Sequence, residues 1–199
     1  MKKLLSILLT LLLSCSSDKY SFENIEIMSY YYQYDDNSKL ILNRVLYSYI
    51  NPNGLSQTIR KTSVTDEDKY YESKIDSKLL NSIVSETKNK DENYFKQSKD
   101  SLGIKLYCGP IIRLKITYKN AKTLSLTFEE NNSIKKLSPY YNLYTTLIND
   151  SINIHIHYQD DLISIRQKEY EQFVIHKDTS GLLIPPPPKM KVKFIKLEN

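Results

Sequence analysis

Between residues 24 and 63, apolar and polar positions alternate in three runs broken by Asp35-Asp36-Asn37-Ser38 and Asn51-Pro52-Asn53-Gly54. This pattern predicts a three-stranded antiparallel meander beginning near Asn24, because a period of two puts successive side chains on opposite faces of a sheet. If both turns are four-residue loops, Ile27 lies against Leu46, Leu46 against Ile59, and Tyr31 opposite Leu42. One face then carries Ile25, Ile27, Leu42, Leu46, Ile50 and Ile59 and is assigned to the core. The other carries Tyr30, Tyr32, Tyr34, Tyr47 and Tyr49 with Thr58 and Arg60.

Downstream the period changes twice. Lys69 to Ile75 reads as a short strand, and Asp76 as the N-cap of a helix over Ser77 to Lys88 with Leu79, Leu80, Ile83 and Val84 on one stripe. Asn89 to Ser101 is polar, relieved by Tyr94 and Phe95, and reads as a loop or a short helix. Strict alternation through Ile112, Leu114, Ile116 and Tyr118 and through Leu124, Leu126 and Phe128 predicts a hairpin. A three-residue loop, Asn120-Ala121-Lys122, pairs Ile116 with Leu126 and Leu114 with Phe128, keeping apolar opposite apolar. Ser138-Pro139 opens a helix with Tyr140, Leu143, Tyr144, Leu147 and Ile148 inward. Ile152 to Tyr158 alternates as a strand. Asp160 to His176 is a helix with Leu162, Tyr170, Phe173 and Val174 inward, and Gly181 helps to end it. Pro185 to Pro188 cannot be helical, and the lysine-alternating stretch Lys189 to Leu197 reads as a terminal strand. Strands and helices in mixed order with hairpin links give an α+β class: a single domain over residues 24–199, with a largely antiparallel sheet and two or three packed helices.

The N-terminus is of another kind. Lys2 and Lys3 precede a ten-residue run, Leu4 to Leu13, in which only Ser6 and Thr10 are polar. This is a secretory signal, and it is half the length of roughly 20 residues needed to span a bilayer. Its boundary, Leu12-Leu13-Ser14-Cys15, resembles the lipobox of bacterial lipoproteins over residues 1–15. The resemblance implies diacylglycerol on the Cys15 thiol, cleavage that removes residues 1–14, and acylation of the new amino group, with residues 15–23 as a lipidated tether. Serine rather than aspartate at position 16 implies the outer rather than the inner membrane, with periplasmic and surface orientations both open. Lipidation of Cys15 leaves Cys108 without an intramolecular partner, so no disulfide is expected.

Composition narrows the chemistry further. With 40% hydrophobic and 26% charged residues the chain can bury a core. Its 4 glycines form neither a dinucleotide fingerprint nor a phosphate-binding loop, and no G-x-S-x-G is present. Losing Lys2 and Lys3 lowers the formal net charge from +5 to +3, too mild to argue for nucleic acid. His155 and His157, two apart on a strand and followed by Asp160 and Asp161, could hold zinc, but the stretch lacks the remaining ligands of the metallo-hydrolase H-x-H-x-D-H pattern that it resembles in part. Cys108, in Tyr-Cys-Gly-Pro, could serve as a thiol nucleophile. Their alternatives are solvent-facing histidines and a small buried hydrophobe. The tyrosine face either contacts a saccharide or protein partner, or is covered by a helix or the C-terminal segment. The expected function is a lipid-anchored, non-catalytic envelope binding module, attached to the membrane by its acyl chains, with a protein or saccharide partner and no cofactor. The alternative is an envelope hydrolase using zinc at His155 and His157 or the Cys108 thiol.

Overall fold

The computed structural model describes residues 22–36, 40–61, 67–95, 109–129, 137–149, 151–156 and 161–181. Among them run β1 (Phe22–Tyr34), β2 (Leu40–Ile50), β3 (Leu55–Arg60), β4 (Lys69–Lys74), α1 (Ser77–Thr87), α2 (Glu92–Phe95), β5 (Ile111–Tyr118), β6 (Thr123–Glu129), α3 (Ser138–Ile148), β7 (Ile154–Ile156) and α4 (Asp161–Gly181). The strands form one antiparallel sheet in the order β6-β5-β1-β2-β3-β4-β7. This is the expected α+β class. The helices number four among the described residues rather than two or three, because Glu92–Phe95 closes into a turn of helix. The Asp91 carboxylate accepts the Tyr94 N–H at 3.0 Å, and Phe95 is buried.

Turn chemistry decides which face each strand shows. At the β2–β3 connection Asn51 N–H donates to the Leu55 carbonyl and Gly54 N–H to the Asn51 carbonyl, leaving a three-residue loop closed by Gly54 at φ 80°. The expected four-residue loop is therefore one residue too long. Since the side-chain period is two, that one residue turns β3 over. Leu46 pairs with Arg60 and Tyr47 with Ile59, so Ile59 joins the tyrosine face, while Thr58 and Arg60 leave it. Between β1 and β2 the expected register is also displaced, but by two residues from Ile25 to Ser29, and Ile27 and Leu46 stay on one face. A bulge between Ser29 and Tyr30, with Val45 as the extra residue on β2, then moves Leu42 and Arg44 to the tyrosine side. The β5–β6 loop has the expected three residues but begins one earlier, at Lys119. Ile116 therefore pairs with Leu124 and Leu114 with Leu126, with faces preserved.

Two cores result, one on each side of the sheet. The first face presents Ile25, Ile27, Leu46, Ile50, Leu114, Ile116, Leu126 and Phe128 to α1, α2 and α3, whose Leu80, Ile83, Phe95, Tyr140, Leu143 and Leu147 complete a single apolar cluster. Asp76 caps α1 as expected, accepting the Lys78 N–H at 2.9 Å, and Pro139 stands in the first turn of α3. The second face is covered by α4. Its buried stripe is Ile163, Gln167, Tyr170, Val174 and Asp178, spaced by three and four. Leu162, expected inward, is 52% exposed, and Ile163 takes its place. β7 is shorter than expected, and its Ile154 is 72% exposed. The expected terminal strand, Lys189 to Leu197, lies outside the described residues.

Candidate functional site

The tyrosine face is where the sequence concentrates unusual side chains, and α4 decides what becomes of them. Tyr30 and Tyr47 are fully buried beneath it, packed with Met28, Ile59, Ile163, Tyr170 and Val174. Of the two readings open for this face, the helix cover therefore applies at its centre, and these two tyrosines are core. Tyr32 and Tyr49 are half-buried beside the same cluster, and the Arg166 guanidinium stacks 3.9 Å above the Tyr49 ring. Tyr34 remains 39% exposed. Arg60 lies on the opposite face, where it donates to the Ile148 carbonyl at 2.7 Å and sits 4.4 Å over the Tyr71 ring.

Burying tyrosines under a helix requires partners for their hydroxyls, and two carboxylates supply them. Asp178 accepts from Tyr30 at 2.6 Å and from Tyr32 at 3.0 Å, while its other oxygen receives the Arg113 guanidinium. Arg113 also donates to the Ser125 hydroxyl at 3.2 Å. Glu26 accepts from Tyr47 at 2.8 Å and from Lys115 at 2.8 Å. A third cation, Arg44, meets Asp68 at 2.6 Å and Glu171 at 3.7 Å. Burial, reinforced by Asp178, pushes the Tyr30 and Tyr32 hydroxyls well above the ordinary phenol range. Burial with Glu26 does the same for Tyr47 and for Tyr170. Burial also raises the Glu171 carboxyl, against the opposing pull of Arg44. All four tyrosines are therefore neutral donors at ordinary pH, and their hydroxyls find acceptors inside the fold, whereas the buried Nε atoms of Arg44 and Arg113 have no hydrogen-bond partner among the described residues.

Glu26, Arg113, Lys115 and Asp178 were not legible as a cluster. Arg113 and Lys115 alternate with the apolar positions of β5 and read as solvent-facing until a helix covers that side. The available signal was polar Gln167 and Asp178 at the spacing of the Ile163, Tyr170 and Val174 stripe.

One part of this face escapes the cover. β5 ends opposite Tyr30 and β3 opposite Leu46, so Tyr31–Tyr34 and Leu40–Asn43 pair only with each other among the described residues. The result is a two-stranded ribbon extending past the sheet, with half-buried Tyr32 and exposed Tyr34 on the tyrosine face, and half-buried Tyr31 with Ile41, 39% exposed, on the opposite one. It lies at the end of β1 opposite Phe22, and the 13 residues of β1 span roughly 40 Å.

His155 is exposed on the edge strand, its ring 5.3 Å from that of Tyr71. His157, Asp160, Cys108 and the lipidation candidate Cys15 lie outside the described residues. No group of three or more metal-ligating side chains occurs among the described residues. Comparison with protein-family models, with curated proteins and with solved structures found no match in any of the three.

Proposed function

We propose that this chain is a lipid-anchored bacterial envelope protein acting as a non-catalytic binding module, held at the outer membrane by acyl chains on Cys15. The observation that supports it most is the placement of the two ends of β1. The first strand opens at Phe22, two residues earlier than expected and seven after Cys15, which limits the tether to roughly 25 Å. The tyrosine-bearing ribbon stands at the other end of that strand. Several acyl chains at about 0.8 kcal/mol per buried methylene hold far more firmly than the single chain that binds reversibly. Tyr34 on one side of the ribbon, and Tyr31 with Ile41 on the other, offer rigid, amphipathic contact area of the kind that dominates interfaces with proteins and saccharides. The buried tyrosines beneath α4 stiffen the base of the ribbon instead of meeting a ligand.

Two measurements test this reading. Metabolic labelling with an alkyne fatty acid is expected to mark the wild-type chain and not Cys15→Ser; equal labelling of both removes the anchor. Tyr34→Ala combined with Ile41→Ala is expected to release the partner recovered from detergent extracts while leaving the unfolding midpoint nearly unchanged. Undiminished recovery of the partner with the double variant moves the contact surface elsewhere.

A further inference from the structure

We infer that the end of the domain bearing the tether seats directly on anionic lipid headgroups through lysines of the β5–β6 hairpin and α1, so that the domain stands upright on the membrane. The inference rests on the anchored reading above and deepens it. Phe22, where the tether enters, pairs with Tyr118 beside the turn of the β5–β6 hairpin. The hairpin tip carries exposed Lys119 and Lys122, and the Lys122 ammonium reaches the Lys90 carbonyl at 3.4 Å, which places the segment after α1 beside it. Thr87, the last residue of α1, accepts the Tyr118 hydroxyl, so the C-terminal turn of α1 lies at this end as well. The helix starts at the same end of the sheet. Ile75 N–H donates to the Gly54 carbonyl of the β2–β3 turn, beside exposed Lys74 and Lys78.

Six lysines thus gather around the tether, Lys74, Lys78, Lys88, Lys90, Lys119 and Lys122, against five carboxylates, Glu23, Asp76, Glu86, Asp91 and Glu92, the last of them paired with Lys177 of α4. Two of those carboxylates accept backbone N–H groups at helix starts, Asp76 from Lys78 and Asp91 from Tyr94, while the Lys74 ammonium donates to the Asn53 carbonyl and the Lys90 ammonium lies 3.9 Å over the Tyr94 ring. An excess this small would hold a free protein weakly. The tether changes that, because a leash of roughly 25 Å keeps the lysines at high effective concentration over the headgroups. Each lysine within a Debye length of an anionic leaflet then contributes roughly fivefold to the seated population. The lysine ammonium is flexible enough to find phosphate while its stem lies along the domain.

The test supplies the tether chemically, so that it does not depend on acylation of Cys15. The chain from residue 15 onward, carrying Cys15→Ser and an N-terminal hexahistidine tag, is held on vesicles containing nickel-chelating lipid, either in phosphatidylcholine alone or with about 30% phosphatidylglycerol. Lysine acetylation by a water-soluble reagent is followed by mass spectrometry. On anionic vesicles Lys78, Lys119 and Lys122 are expected to react at least fivefold more slowly than on neutral ones. Lys69 at the far end of β4 and Lys168 on α4 are expected to react equally on both. High salt is expected to abolish the difference, and Lys119→Glu with Lys122→Glu to return Lys78 to its rate on neutral vesicles. Equal rates on the two vesicles, or slowing shared by Lys69 and Lys168, overturns the inference. Loss of fatty-acid labelling at Cys15 in cells bears on the anchor alone.

Discussion

The two faces of one sheet are closed by opposite means. Over the first, three helices press leucine, isoleucine, phenylalanine and tyrosine onto an almost wholly apolar surface of β1, β5 and β6. Over the second, a single helix settles on tyrosines, an arginine, a lysine and a glutamate, and brings an aspartate to meet them. The first arrangement takes its stability from area removed from water, about 25 cal/mol for each Å² of apolar surface, and tolerates little geometric error before cavities open. The second depends on every polar group finding its partner, because an unpaired charge in the interior is far more costly than a lost contact. A fold with one face of each kind separates the two effects inside a single molecule.

The largest expected effect is alkaline. Tyr30, Tyr32, Tyr47 and Tyr170 on the second face and Tyr140 on the first are all held above the ordinary phenol range by burial. In the unfolded chain they ionise near pH 10, while in the folded protein they keep their protons. Stability is therefore complete below about pH 10 and falls as pH rises beyond it, by roughly 1.4 kcal/mol per pH unit for each fully protected tyrosine. Tyrosinate absorbance should rise in step with loss of the circular dichroism signal, in one cooperative transition. Smooth titration of all 17 tyrosines with the fold intact would show that the second face opens to water.

Next in size are truncations that break each face in its own way. Phe128→Ala on the first face and Asp178→Ala on the second are each expected to cost about 3 to 5 kcal/mol in urea unfolding, one through a cavity and the other by stranding Arg113. The remedies differ. Replacing both members of the pair, Arg113→Met with Asp178→Leu, is expected to recover most of the loss, since no charge is then left buried. Failure to recover would mean that the two tyrosines bonded to Asp178, rather than the charge, carry the cost.

Smaller and more discriminating is a matched deletion of one hydroxyl from each face. Tyr47→Phe leaves Glu26 short of a donor and is expected to cost about 1 to 2 kcal/mol. Tyr140→Phe should be neutral or slightly stabilising, because its buried hydroxyl has no hydrogen-bond partner among the described residues. Equal losses from the two changes would erase the distinction between the faces.

The smallest effect concerns the hairpins that set the faces apart. Both are three-residue loops ending in a left-handed residue, Gly54 at φ 80° in one and Ala121 at φ 61° in the other. Ala121→Gly is expected to stabilise by up to about 1 kcal/mol, the left-handed strain outweighing the added chain entropy. Gly54→Ala should destabilise, as its new Cβ would stand 2.9 Å from the Ile75 carbonyl oxygen. Both shifts can be read as changes in melting temperature.

The sequence by itself determined the kind and approximate limits of most elements. Asp76, Ser138-Pro139 and the alternation of β5 and β6 are local signals, because capping groups, fixed φ and the helix or strand period act over a few neighbouring residues. It also separated Tyr30, Tyr32, Tyr34, Tyr47 and Tyr49 from Ile25, Ile27, Leu46 and Ile50, since errors of two residues in register leave the faces unchanged. Only the tertiary structure decided where Leu42, Ile59, Thr58 and Arg60 face. One residue in the Asn51–Leu55 loop and one bulged residue at Val45 reverse a strand whose period is two, and neither changes the alternation that the sequence displays. The fate of the tyrosines was likewise beyond local reach, because Asp178 meets Tyr30 across 148 residues of chain and Arg113 across 65. Whether a tyrosine is core or contact surface is set by the helix that docks over it, and that docking is a property of the assembled sheet.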